Sequence, residues 1–172
     1  MQKAQDRWDL VAINMSFVMG PPLGAADSSE SMNVLKMYGD GQTRFGAPKM
    51  GVGVVDVRDV AETHYQAGIN PKAHGRYITS GHNTDFLEMG TVLLEKYGKS
   101  HPLPKKAMPK WLVMLVGPLL NKTMTRQFIR NNINIEWKAD NSKVRKELGI
   151  EFMPLQKTME DGFQALIDAK II

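Results

Sequence analysis

The stretch that decides the fold runs from Gly53 to Gly68 and reads GVVDVRDVAETHYQAG. Val54, Val55 and Val57 favour an extended strand, because branching at Cβ suits a pleated, half-buried surface. A helical pattern follows at once, with Val57, Val60, Ala61 and His64 on one face. Asp56 or Asp59 is placed to cap the first turn by accepting from its free N–H groups. A strand running straight into a capped helix is one half of a β-α-β unit. The turn NPKAHG and a second apolar strand, RYITS at 76–80, supply the other half.

Working outward, DLVAIN at 9–14 is apolar on both faces, as a strand in a covered parallel sheet is. SFVMGPPLG stops regular structure with Gly20, Pro21, Pro22 and Gly24, and serines then offer caps for a helix to about Tyr38. A helix follows GHNTD, with Asp85 and Glu88 spaced as a capping box and Gly98 as its stop. Prolines 102, 104 and 109 stiffen the link to an apolar helix over Trp111–Leu120 and a basic one near Met124–Arg130. Ile133, Ile135 and Trp137 recur at period two and predict a strand over 133–140. A short helix stopped by Gly149 and a last helix, with Leu155, Met159, Phe163, Leu166 and Ile167 inward, close the chain. The expected class is therefore α/β: about two core strands of a parallel sheet, then a mostly helical part.

Composition narrows the function. The chain has 172 residues, 42% apolar and 23% charged, with no cysteine. Disulfides, thiolate metal sites and a cysteine nucleophile are excluded, and a reducing, cytoplasmic setting is expected. A net charge of +4 is a weak argument for nucleic acid, and none is expected as a partner. The charge is uneven: no acid lies between Glu95 and Glu136, while eight Lys and Arg do. The apolar run WLVMLVGPLL is too short to span a bilayer, which takes about 20 residues. It reads as a mobile lid in preference to a helix that lies on a membrane surface or a partner. His64, His74, His82 and His101 have no metal-ligand spacing, and no GxGxxG or GxxxxGK[ST] phosphate cradle is present.

Four segments in order, WDLVAINMSFVMGPPL, VVDVRDVAETHYQAGINPKAHGRYITSG, FLEMGTVLLEKYG and DNSKVRKELGIEFMPLQKTMEDGFQALIDAKII, resemble the carboxyl-terminal half of an extended short-chain dehydrogenase/reductase. The similarity is to the dihydroflavonol reductase, aldehyde reductase and cinnamoyl-CoA reductase branch. It implies a Rossmann-type sheet with the nucleotide side in residues 1–100 and a substrate or lid region in 101–172. It implies NAD or NADP as cofactor and a small carbonyl compound as substrate. Met15, Ser16, Phe17 and Val18 would meet the nicotinamide end, with Met15 where the family usually has proline. Ser31 would approach a cofactor phosphate; Met50, Gly53 and Val54 would lie near the substrate, and Asp59 would cap the junction.

The family's glycine-rich loop and its Tyr-x-x-x-Lys pair are absent. Tyr38, Tyr65, Tyr77 and Tyr97 have no lysine four residues on. No catalytic residue is therefore assigned, and the expectation is a fragment, inactive alone, whose partner is the amino-terminal half. A sugar-nucleotide epimerase/dehydratase or steroid-type dehydrogenase shares the scaffold, with Arg126 and Arg130 as diphosphate ligands.

Overall fold

The structure is a computed structural model that describes residues 9–24, 29–120 and 124–172. In chain order its elements are β1 (Val11–Met15), β2 (Phe17–Met19), α1 (Glu30–Gly39), β3 (Gly51–Asp56), α2 (Val57–Ile69), β4 (Gly75–Thr79), β5 (His82–Asp85), α3 (Phe86–Thr91), α4 (Leu94–Tyr97), α5 (Lys110–Leu120), α6 (Arg126–Asn132), α7 (Ser142–Leu148) and α8 (Leu155–Asp168). The two expected core strands are β1 and β4, paired in parallel from Val11↔Gly75 to Met15↔Thr79.

At Ser16 the chain changes partner. β2 continues β1 but pairs in parallel with β3, Phe17 opposite Val54. β5 runs antiparallel to β3, from Gly51↔Asp85 to Val54↔His82. The second sheet, β2-β3-β5, thus grows out of the carboxyl ends of the first. Two backbone bonds seal the seam, Ser16 N–H to Thr79 O at 3.1 Å and Gly81 N–H to Val54 O at 2.8 Å.

Three apolar clusters hold the layers. The largest joins β2 and β3 to α1, α3 and α8 through Leu35, Tyr38, Val54, Met89, Met159 and Phe163. Of the face expected inward on α8, Met159, Phe163 and Leu166 are fully buried, and Leu155 and Ile167 pack at its margin. A second cluster lies between β4 and α7, around Tyr77, Val144 and Leu148. A third, Val113, Ile129 and Ile133 with Met50 at its edge, joins α5 to α6.

Three sequence expectations are corrected. The strand over 133–140 does not form: Ile133 and Ile135 each make an isolated bridge to Met50. Asn134, between them, adopts φ 62°, a left-handed kink that asparagine tolerates and a continuing strand does not. The helix expected to run to Gly98 is broken into α3 and α4. Finally, the buried face of α2 carries Asp59 and Thr63, while Ala61 and His64 are exposed. Its inward residues are polar because each has a bond to make: Thr63 Oγ1 donates to Asp59 O at 2.7 Å, and Asp59 Oδ2 accepts from Met153 N–H at 2.9 Å.

Candidate functional site

Asp56 and Arg58 at the strand–helix junction form a brace with Asp161 of α8. Asp56, not Asp59, caps α2, accepting at Oδ1 from the Arg58 N–H at 2.8 Å. The Arg58 guanidinium folds back onto both Asp56 oxygens, Nε to Oδ1 at 2.8 Å and Nη2 to Oδ2 at 2.7 Å. Its Nη1 reaches Asp161 on α8 at 2.8 Å. Burial pushes the Asp56 carboxyl up, but the Arg58 side-chain and backbone bonds outweigh it and hold Asp56 below the ordinary carboxylate range. Gly20 closes the brace from above. Its φ is 114°, and a Cβ there would stand 3.2 Å from Asp56 Oδ2. The GPP loop is thus seated on the junction, and both carboxylates are structural.

Around Ser16 lies a different chemistry. Ser16 Oγ, Thr79 Oγ1 and Ser80 Oγ are buried with no hydrogen-bond partner. All three stand where β1 and β4 end, the place at which open α/β sheets collect ligands. Unpaired buried hydroxyls cost free energy and call for an explanation. Of the neighbouring residues expected at a cofactor, Met15 is nearly half exposed at 47%. Phe17 turns toward the main core, 6.4 Å from the Phe86 ring between centroids. Val18 O accepts from Ser31 Oγ at 2.5 Å, so Ser31 ties the start of α1 to β2.

The expected substrate residues form a second group, joined to the first by the Phe17↔Val54 pairing. Val54 is wholly buried. Met50 bridges to Ile133 and Ile135. Gly53 lies directly beneath the Trp137 indole, and a Cβ at position 53 would fall on ring atoms Cζ3 and Cη2. Beside this contact opens a cleft of about 480 Å³ between Gly51, Asp85 and Trp137. Sequence reasoning missed Trp137 as a site residue; the signal was GVG at 51–53, glycines that leave room for a crossing chain. A second cleft of about 410 Å³ lies between β1 and α2, lined by Val11, Ile13, His64 and Ala67. Arg126 and Arg130 are exposed on α6 and line neither cleft. Among the described residues no group of three or more His, Asp or Glu is placed to hold a metal, and no helix is long and apolar enough to cross a membrane.

Parallel strands β1 and β4, with a second small sheet grown from their carboxyl ends and helices packed against both, match the carboxyl-terminal portion of a Rossmann-type α/β fold. The chain is homologous to the carboxyl-terminal part of extended short-chain dehydrogenase/reductases. Cinnamoyl-CoA reductase 2 of Arabidopsis thaliana is 30% identical over 162 residues, which is 92% of this chain and 41% of that protein. Tetraketide alpha-pyrone reductase 2 of the same plant is 33% identical over 102 residues, 59% of this chain and 31% of the relative. The chain thus spans about two fifths of the length of the curated relatives it matches. Yeast methylglyoxal/isovaleraldehyde reductase Gre2, solved with NADPH, superposes with a TM-score of 0.71 at 20% identity, over 99% of this chain and 50% of that one. Vestitone reductase from alfalfa gives 0.65 at 18% identity, over 95% and 46%. No family model matches the chain.

Proposed function

We propose that this chain forms the substrate side of an NAD(P)H-dependent carbonyl reductase and turns nothing over by itself. The observation that carries the reading is the trio of orphaned hydroxyls, Ser16, Thr79 and Ser80, at the carboxyl ends of β1 and β4. A nicotinamide carboxamide has both a donor and an acceptor to offer them, so these residues fit that end of the cofactor. Bound, the reduced nicotinamide supplies hydride. Met15, Ser16 and Val18 stand on the nicotinamide side, Phe17 backs them from the main core, and Ser31 holds the start of α1 where a cofactor phosphate would approach. Met50, Gly53 and Val54 form the substrate side. On this reading 1–100 carry the nucleotide side together with substrate-side loop insertions, and 101–172 the helical substrate or lid region, with α8 returning to pack on α1.

The proton donor and the glycine-rich cradle are not in this sequence; by family resemblance they lie in the further length that the relatives possess. A cytoplasmic setting goes with this reading. The sugar-nucleotide alternative asks for arginines in the cleft, and none lines it.

The test joins the chain behind the nucleotide-binding part of the Arabidopsis cinnamoyl-CoA reductase 2. The folded chimera is expected to oxidise NADPH with cinnamaldehyde, and the chain alone to give no turnover. Turnover by the chain alone, or a folded chimera that does not bind NADPH, overturns the reading.

A further inference from the structure

We infer that the outer face of α5 docks on an anionic lipid surface, with Trp111, Leu115 and Leu119 at the acyl boundary and the neighbouring lysines and arginines on the headgroups. No residue of α5 lines either cleft, so this contact is independent of the carbonyl-reductase reading.

Helix α5 is apolar on two opposite sides. At about 100° of turn per residue, Val113 and Gly117 fall on one side and Trp111, Leu115 and Leu119 on the other. The inner side is filled: Val113 packs with Ile129 and Ile133, and a Cβ at Gly117 would stand 3.1 Å from Ile129 Cδ1. The outer side is bare, with all three side chains more than half exposed. A helix that is apolar all round belongs where it is covered all round. Its posture is fixed, because Lys110 Nζ donates to Arg130 O and to Ile133 O, both at 2.9 Å, and ties the start of α5 to the end of α6.

The charges around the stripe decide what covers it. Eight Lys and Arg and no acid lie between Glu95 and Glu136. Lys105, Lys106 and Arg126 are exposed, and none of them pairs with a carboxylate among the described residues. Phe45, also more than half exposed, stands beside them with the Arg44 guanidinium 4.6 Å above its ring. Its loop is fastened to the approach to α5, Ala47 N–H donating to Lys106 O at 3.2 Å and Met108 N–H to Ala47 O at 2.9 Å. Apolar and aromatic side chains ringed only by cations match a bilayer that offers acyl chains beneath phosphate and carboxylate headgroups. A second copy of this chain would set like charges face to face.

The experiment measures co-sedimentation of the full chain with vesicles of phosphatidylserine and phosphatidylcholine in equal parts, and with vesicles of phosphatidylcholine alone. Wild type is expected to partition about tenfold more strongly onto the mixed vesicles. Leu115→Ser with Leu119→Ser, and separately Lys105→Glu with Lys106→Glu, should each lower that partitioning about tenfold. All four side chains are exposed, so the circular dichroism spectrum should stay unchanged. No sedimentation with the mixed vesicles, indifference to phosphatidylserine, or partitioning that survives the paired leucine change overturns the inference. A dimer that the leucine pair dissolves, seen by sedimentation velocity, overturns it in favour of a second copy. Loss of vesicle binding in the folded chimera overturns it in favour of the added half as the cover. Turnover does not enter, so a catalytically inactive chimera leaves the result standing.

Discussion

Asp56 and Asp59 stand three residues apart, and their surroundings shift them in opposite directions. Burial raises Asp59, the Met153 N–H bond only partly opposes it, and the nearby Asp56 charge adds to the rise. Asp56 is lowered through Arg58, as is Asp161, whose burial is outweighed by its bonds to Arg58 and Lys157. The linkage signs follow. Asp56 and Asp161 bind protons less readily when folded. Their contribution is present above the unfolded value of about 4 and is lost as pH falls through the lower folded values. Asp59 binds a proton more readily when folded, so its contribution is present below about 4 and is lost as pH rises through its folded value. Arg58→Ala should therefore lower stability at neutral pH by about 2 kcal/mol, the low end for a buried charge losing its partner because Arg58 is itself part exposed. That loss should shrink in acid, as urea unfolding at several pH values will read. Asp59→Asn should be neutral or stabilising at pH 7, since an amide oxygen still accepts from Met153 and no charge is buried; any gain should vanish below about pH 4.

At the scale of elements, helix α7 offers a clean test. Gly149 ends it with φ 67°, its N–H donating to Arg145 O, and an added Cβ would meet nothing within 4 Å. Gly149→Ala should therefore cost only the left-handed backbone penalty, about 1 kcal/mol by denaturant unfolding. Such punctuation is why the elements were largely legible in the sequence. Gly149, the valines at 54–57 and the α8 pattern act through local sterics or period, which a single sequence carries. What was not legible acts through space. The polar inner face of α2 depends on Met153, ninety-four residues from Asp59. Ile133 and Ile135 alternate as a strand would, yet Asn134 kinks between them because both must reach Met50. The unpaired hydroxyls of Ser16, Thr79 and Ser80 come together only once β1 and β4 lie side by side. Trp137 meets β3 only because its segment crosses at Gly51 and Gly53.

For the molecule as a whole, three separate apolar clusters mean that cohesion is not uniform. Phe163 is completely buried in the largest cluster, which joins β2 and β3 to α1, α3 and α8, so Phe163→Ala should lower global stability by about 4 kcal/mol. Ile129 is equally buried, but its cluster joins only α5 and α6 to Met50 and Met108. Ile129→Ala should therefore release hydrogen-exchange protection in α5 and α6 while the β-strands keep theirs. Uniform loss of protection across the chain would show that the third cluster is coupled to the first. On its outer side α5 shows Trp111, Leu115 and Leu119 at 68%, 60% and 83% exposure, one residue per turn.

The contact between Gly53 and Trp137 also constrains how such a protein can change over generations. A lineage cannot acquire a polar side chain on the strand while the indole sits there; the bulky ring has to shrink first. Gly53→Gln alone should unfold at lower temperature than Gly53→Gln with Trp137→Ala, reversing the usual rule that a second lesion compounds the first. If the single change is tolerated as well as the pair, that historical ordering does not exist. Where it holds, the ring at position 137 must shrink before the strand can gain a long side chain at position 53.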